Sequence, residues 1–159
     1  MYAEMEREKV IEYLNEIMYD GKSIVIIDPY FFSKSTNITL KNYINDMEKV
    51  LENINEVLII THWNKENYEK EVKEFFQKKN IKYRIFKTRK LHDRLWIKNK
   101  TDYYVVGSSF NSVGFSFGFI YKLERERIKV AINKYLIEKI NSSHLHKKIK
   151  QELEEFLAK

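Results

Sequence analysis

The sequence predicts an α/β domain with a mixed, mostly parallel sheet and helices on both of its faces. Three short strand-like runs, the first two of them rich in β-branched residues, alternate with three longer segments that carry apolar residues at helical spacing. Such alternation is typical of parallel strands joined by right-handed helical crossovers. Two further strand-like runs are separated only by a short turn, which indicates a hairpin that extends the sheet.

The first half of the chain contains the alternating units. Residues 4–18 repeat apolar side chains on one helical face, and Gly21 is a natural end for this helix. Residues 23–27 form a continuous β-branched run that is typical of a strand covered on both faces, and Pro29 breaks it. The remaining units are a helical pattern over 40–54, a strand over 57–61, a helix over about 66–79 and a strand over 81–86.

The second half starts with the hairpin. Residues 95–98 and 103–106 have strand patterns, and the turn-prone residues 99–102 join them. Residues 117–123 also fit a strand, whereas 127–132 fit either a strand or the start of a helix. Helical patterns then cover 135–140 and 145–157. We therefore expect a single domain with an N-terminal helix over 1–21, an α/β core over 22–132 and a C-terminal helical segment over 133–159.

Composition narrows the class of protein. A chain of 159 residues, 43% of them apolar, is long enough to bury a core as one globular domain. It has no cysteine, which excludes disulfides and thiolate metal sites and is consistent with a cytoplasmic protein. No apolar run approaches the ~20 residues of a membrane span. We expect a soluble protein without a metal or other cofactor.

Positive charge is concentrated in one stretch. The formal charge of the chain is +6, but residues 78–100 contain ten Lys or Arg and one acid, a net charge of +9. Such a basic belt suggests an anionic partner, either nucleic acid or an acidic membrane surface. A solvated face of a lysine-rich protein is the alternative explanation.

Polar residues follow each of the three predicted parallel strands. Ligands of such sheets bind in the crevice beyond the carboxyl ends of the strands. Residues at that end are therefore candidates for substrate binding: Asp28 and Tyr30 after the first strand, His62 and Trp63 after the second, and 87–90, including Lys90, after the third.

The stretch 90–114, KLHDRLWIKNKTDYYVVGSSFNSVG, concentrates the polar chemistry of the chain. In an extended segment alternate side chains share a face, so His92 and Arg94 would point one way and Asp93 the other. The hairpin would bring Ser108, Ser109 and Asn111 back towards them. A histidine beside a fixed cation, with hydroxyl and amide groups returning next to both, predicts a phosphate site.

These residues resemble the motif of the phospholipase D superfamily, H-x-K-x4-D-x6-G-S-x-N. The resemblance implies that His92 is a nucleophile forming a phosphohistidine, that Arg94 stands in the place of the motif Lys, and that Ser109 and Asn111 match S-x-N. It also implies that a downstream acid, Glu124 or Glu126, orients the histidine. Members with a single motif complete their site by dimerising, so a homodimer is expected.

The chain departs from that motif at several positions. Arginine cannot place the compact ammonium of lysine, and Asn99 occupies the Asp position. Ser108 replaces the Gly, unless Gly107 and Ser108 form the G-S pair, in which case the spacing to Asn111 is one residue too long. The strings HDR and IIDPYF are similar to a divergent branch that includes the C-terminal domain of MIT-domain proteins, which dimerises and binds acidic lipid.

Three functions follow from these patterns as expectations. The first is a metal-independent nuclease working as a homodimer. The second is a non-catalytic nucleic-acid-binding module, such as a sensor or recruiting domain in a larger defence or DNA-processing system. The third is a domain that binds acidic membrane lipid.

Overall fold

A computed structural model of the protein describes residues 7–115, 118–141 and 147–158. Its centre is a six-stranded sheet with the strand order β3-β2-β1-β4-β5-β6. Strands β1, β2 and β3 are parallel to one another, whereas β4, β5 and β6 are added in antiparallel fashion next to β1. The strands are β1 (Ser23–Ile27), β2 (Glu56–Thr61), β3 (Lys82–Lys87), β4 (Leu95–Lys98), β5 (Asp102–Val106) and β6 (Ile120–Leu123).

Helices cover both faces of the sheet, which confirms the predicted α/β fold class with a mixed sheet. The sheet is not mostly parallel, because among the described residues two of its strand pairings are parallel and three are antiparallel. Three helices pack on one face, and α4 packs on the other, with α5 against it. None of the helices in the described ranges is both long and apolar enough to cross a bilayer. The helices are α1 (Arg7–Met18), α2 (Leu40–Val50), α3 (Glu69–Lys78), α4 (Glu126–Asn141) and α5 (Lys147–Ala158).

Strand β1 shows why the sequence gives this layered arrangement. Ile24 and Ile26 lie in the core beneath α1, α2 and α3, whereas Val25 and Ile27 lie in the core beneath α4. All four side chains are at most 1% exposed. Burying each contributes on the order of 1.5–3 kcal/mol, which explains a continuous β-branched run in place of alternating polar and apolar residues.

The strand directions bring several chain segments to one end of the sheet, here called the site end. Strands β1, β2 and β3 finish there. Because β4 is antiparallel to β1, it begins at this end, and β5 returns to it. The hairpin between β4 and β5 lies at the opposite end, where Asn99 and Lys100 have φ values of 51° and 63°. The Asn99 side-chain oxygen accepts hydrogen bonds there from the N–H groups of Lys22 and Ser23.

Several predicted boundaries differ from those observed. Residues 127–132 belong to helix α4, which settles the choice between strand and helix left open by the sequence. Helix α3 begins at Glu69, and the Asn67 side chain accepts a hydrogen bond from the Glu69 N–H at 3.1 Å. The strand predicted over 117–123 is shorter in the structure, where β6 covers Ile120–Leu123. Residue 117 lies outside the described ranges. Residues 4–6 of the predicted first helix also lie outside the described ranges.

Gly114 closes the loop after β5 against α1 and supplies a test of the fold. Its φ is +84°, and a Cβ at this position would lie 2.4 Å from the Arg7 Cα. Gly114→Ala should therefore lower the free energy of unfolding by about 2–5 kcal/mol, since it combines left-handed strain with a backbone clash. Urea unfolding measures the change.

Asn80→Gly is the matched control for Gly114→Ala. Asn80 also has a positive φ, 55°, but it is exposed. Relief of left-handed strain should offset the added flexibility of the unfolded chain, so the free energy of unfolding should change by less than about 0.5 kcal/mol. A Gly114→Ala protein as stable as this control would contradict the packing described here.

Candidate active site

His92 lies at the site end in the segment between β3 and β4, and its side chain is exposed. Its ring meets the ring of His62 edge to face, with ring centroids 5.3 Å apart and an interplanar angle of 89°. His62 Nε2 is 2.7 Å from the carbonyl oxygen of Leu91. Since a carbonyl can only accept, this nitrogen is the donor. His62 thus holds the backbone directly before His92.

Arg94 lies beside Tyr30, and part of its guanidinium is exposed. Its Cζ atom is 6.0 Å from the centroid of the Tyr30 ring. Its Nε is 4.0 Å from Asp28 Oδ1, which is too long for a hydrogen bond. Among the described residues, that buried nitrogen has no hydrogen-bond partner, while the side chain as a whole is 30% exposed. Because this nitrogen is buried, an anion could reach only the exposed part of the guanidinium.

The predicted orientation of these side chains rested on an extended strand, but β4 begins only at Leu95. His92 and Arg94 nevertheless approach neighbouring rings, since His62 and Tyr30 are themselves in edge contact with centroids 6.1 Å apart. Asp93 turns towards α4, where it accepts a hydrogen bond from the Tyr135 hydroxyl at 3.3 Å.

Asp28 is a buried carboxylate that joins the end of β1 to the loop after β5. It is 1% exposed and accepts hydrogen bonds from Ser109 Oγ at 2.7 and 2.8 Å, from the Phe110 N–H at 2.9 Å and from the Tyr30 N–H at 3.0 Å. Burial raises its pKa, although these donors and the charge of Arg94 act in the opposite direction. A side chain so enclosed holds the site together without touching a ligand.

The residues after β5 reach the site end, but the side chains of Ser109 and Asn111 make hydrogen bonds within the protein that hold the loop in place. Ser109 is 4% exposed and bonded to Asp28. Asn111 is 7% exposed, and its Nδ2 donates to the carbonyl oxygen of Ser33 at 2.7 Å. Ser108 is also buried, at 8%. Ser109 thus contacts Asp28, which lies 4.0 Å from Arg94, while the hydroxyl of Ser109 and the amide of Asn111 are both engaged within the protein.

Two other predicted residues occupy different surroundings. Lys90 is exposed at the site end, and its backbone N–H donates to Thr88 Oγ1 at 3.2 Å. Glu126 begins α4 with a side chain that is 81% exposed, and it accepts a hydrogen bond from Lys129 at 3.0 Å. Its carboxylate is thus engaged with a neighbour on the same helix, and no described contact links it to His92.

The basic belt of residues 78–100 does not form one continuous surface. Lys98 is 5% exposed at the end of the sheet opposite the site end, where its ammonium contacts Asp20 at 2.6 Å and Asp102 at 3.5 Å. Other members are paired with acids, such as Lys79 with Glu48 and Lys87 with Glu69. The cations of the belt at the site end are Lys87, Arg89, Lys90 and Arg94.

A groove of about 440 Å³ opens beside His92 on the α4 face of the sheet. Asp93 and two partly exposed tyrosines, Tyr121 and Tyr135, line it together with apolar side chains. Neither tyrosine was singled out from the sequence. They meet only because β6 pairs with β5 and α4 crosses above them, so no local pattern could have revealed the groove.

Among the residues in the described ranges, no group of three or more His, Asp or Glu is placed to hold a metal ion. The side chains that could act on a substrate at the site end are those of His92, Arg94 and Lys90. Their chemistry is that of a nucleophile or base beside cations.

Comparison with known proteins identifies the fold. No protein-family model and no curated protein matches the chain. Among solved structures, NucT from Helicobacter pylori is similar, with 15% sequence identity, a TM-score of 0.55 and coverage of 87% of this chain and 91% of that chain. The fold is therefore phospholipase D-like, as the sequence predicted. At this identity the likeness establishes the fold alone.

Asp28→Asn tests the role of the buried carboxylate. The NH2 group of the asparagine would face groups that donate hydrogen bonds to Asp28, the Ser109 hydroxyl and the Phe110 N–H. Two donors would then meet, so a buried donor would lose its acceptor. The free energy of unfolding should fall by about 1–3 kcal/mol at neutral pH. Asp93→Asn, an exposed change of the same chemistry, should alter it by less than about 0.5 kcal/mol.

The difference between the wild type and Asp28→Asn should also depend on pH. Because the folded pKa of Asp28 lies above its ordinary value of 3.8, its contribution to stability is fully present below that value. This contribution is lost as pH rises through the folded pKa. The advantage of the wild type should therefore grow as pH falls from neutral, by at most about 1.4 kcal/mol per pH unit. A pH-independent difference in urea unfolding would contradict the raised pKa.

Proposed function

We propose that this protein is a phosphodiesterase that cleaves nucleic acid through a covalent intermediate on His92. One observation carries the proposal: in a phospholipase D-like fold, an exposed imidazole and a partly exposed guanidinium lie at the same end of the sheet. A neutral imidazole is a nucleophile for phosphorus, and a guanidinium stabilises the charge that develops on the phosphoryl oxygens.

The reaction takes place in two displacements. A ring nitrogen of His92 forms a bond to phosphorus while the bond from phosphorus to the leaving oxygen breaks, and an acid supplies a proton to that oxygen. Water then attacks the phosphohistidine, loses a proton to the conjugate base of that acid, and releases His92. Arg94 holds the phosphoryl oxygens throughout, and Lys90 contributes positive charge at the same end.

His62 is poorly placed to be the acid, although it is a second imidazole at the site end. Its ring is in contact with that of His92, with centroids 5.3 Å apart, so no phosphoryl group fits between them. Displacement in line requires the acid on the side opposite the nucleophile. We therefore propose that His92 of a second copy of the chain supplies it across a two-fold axis.

Nucleic acid is the substrate class that the surroundings of His92 favour. Arg89, Lys90 and Arg94 supply cations at the site end. Tyr30 and Trp63 lie there with 48% and 53% of their surface exposed, so their rings are available to stack on bases. Trp96, the other tryptophan, is 2% exposed and belongs to the core.

A binding module without catalytic activity is the second candidate, and a specific observation favours it. The two side chains that match S-x-N are both engaged internally, Ser109 with Asp28 and Asn111 with the carbonyl of Ser33. A site in which only Arg94 and nearby lysines remain for the phosphate would still bind nucleic acid or an acidic lipid headgroup. Retained binding by a protein that cleaves nothing would support this function.

His92→Ala tests the proposed reaction. Cleavage of a labelled oligonucleotide should fall by at least about a thousandfold, because the covalent intermediate cannot form. Stability and oligonucleotide affinity should stay nearly unchanged, because the side chain is exposed. Tyr19→Ala, which removes a ring that is 63% exposed, is the control and should cleave normally. Substantial cleavage by His92→Ala would overturn the mechanism.

Mixing wild-type protein with His92→Ala separates a shared site from an independent one. If each site needs a histidine from both copies, activity after subunit exchange should fall as the square of the wild-type fraction. Activity proportional to that fraction would show that the acid does not come from the second copy. Sedimentation at the assay concentration reports the oligomeric state in parallel.

His62 variants test whether that residue positions the nucleophile. His62→Ala removes both the ring contact and the hydrogen bond to the Leu91 carbonyl, so kcat should fall roughly tenfold or more while KM changes little. His62→Gln keeps an N–H donor and should recover part of the loss, whereas His62→Phe keeps only a ring. Equal activity of all three variants and the wild type would remove this role.

A further inference from the structure

The groove beside His92 has the make-up of a subsite for one nucleotide. Its volume, about 440 Å³, lies within the range of small-molecule sites, and its floor is formed by apolar side chains such as Ile27 and Leu136. Tyr121 at its wall is 51% exposed and offers a planar face. His92 and Arg94 also line this groove, so a nucleotide that occupies it would have its phosphate next to both.

Asp93 gives the groove a negatively charged carboxylate. Its exposed carboxylate accepts one hydrogen bond, from the Tyr135 hydroxyl at 3.3 Å, and a carboxylate has about four acceptor positions in total. A carboxylate repels a phosphate, so it cannot serve as a phosphate ligand there. What it can bind in this groove is a group that presents N–H donors.

We propose that this groove binds an unpaired nucleobase next to the scissile phosphate and that Asp93 selects guanine. The proposal rests on the function proposed above, since it requires nucleic acid at the site end. Guanine presents two adjacent donors, N1–H and the N2 amino group, which match the two oxygens of one carboxylate. Thymine and uracil flank their single N–H with carbonyl oxygens, which a carboxylate repels.

The remaining bases fall between these extremes. Adenine and cytosine each present one amino group beside an acceptor nitrogen, so each can give the carboxylate one hydrogen bond. The expected order is therefore guanine first, then cytosine and adenine, then thymine or uracil. A paired base hides this edge, which restricts the selection to unpaired nucleotides.

Binding measurements on His92→Ala test the subsite without turnover. The probes are four short, fluorescently labelled single-stranded DNA oligonucleotides that differ at one central base in an otherwise uniform thymine tract. Fluorescence anisotropy should give about tenfold tighter binding for the guanine probe than for the all-thymine probe. The same four probes with wild-type protein report whether cleavage follows this order.

Two further substitutions in the His92→Ala protein identify the responsible groups. Asp93→Asn replaces one carboxylate oxygen with a donor and should reduce the guanine preference to less than about twofold. Glu12→Gln, an exposed carboxylate on α1 changed to its amide, is the matched control and should keep the preference. Tyr121→Ala should weaken all four probes by roughly tenfold, since it removes a stacking surface.

The outcomes separate this subsite from the proposed reaction. A guanine preference that Asp93→Asn abolishes supports the subsite even if wild-type protein cleaves nothing, in which case only the nuclease function fails. Equal affinity for the four probes, or a preference that survives in Asp93→Asn, overturns the subsite while leaving any observed cleavage to stand. Failure of all four probes to bind overturns it as well.

Discussion

The candidate site depends on one buried carboxylate. Asp28 stands directly after a strand with no polar side chain in its buried positions, and burying a charge there is costly without partners. Ser109 and the backbone N–H groups of Phe110 and Tyr30 supply those partners. Ser109 and Phe110 lie 81 and 82 residues from Asp28 in sequence, and Tyr30 lies two residues from it. Satisfying Asp28 therefore fixes the loop after β5 against the end of β1.

Arg7 supports the same loop from its other side. Its guanidinium donates to the carbonyl oxygens of Phe110 and Val113 at 2.8 and 3.0 Å and pairs with Asp46 of α2 at 2.7 Å. The loop is therefore held by a carboxylate that accepts its N–H groups and by a cation that binds its carbonyls. Such support from two elements keeps a loop in one conformation without regular secondary structure.

Much of this fold could be predicted from the sequence, because its determinants are local. The β-branched runs predicted the parallel strands β1 and β2, and the turn residues at 99–102 predicted the hairpin. The meeting of these segments at the site end could also be predicted from the sequence. Strand direction alone brings Asp28, His62 and residues 88–94 to the same end of the sheet. What could not be predicted was the use of each polar group. Ser109 looked like a phosphate ligand, but its partner Asp28 is 81 residues away.

The groove and the cations escaped prediction for the same reason. Asp93 was predicted to point away from His92 and Arg94, but the direction of one side chain says nothing of the cavity that α4 and β6 form beside it. Charge counted along residues 78–100 likewise ignored the pairing of Lys98 with Asp20 at the far end of the sheet. Contacts between distant segments decide which charges remain available to a ligand.

The arginine at position 94 follows from the carboxylate at position 28. A guanidinium has five donors arranged in a planar fork, so it can keep one side towards Asp28, at 4.0 Å, while another side faces the surface. The single compact ammonium of a lysine would have to choose between the buried carboxylate and the surface. Arg94 and the buried acid beneath it are therefore best treated as one unit when the chemistry of this end of the sheet is tested.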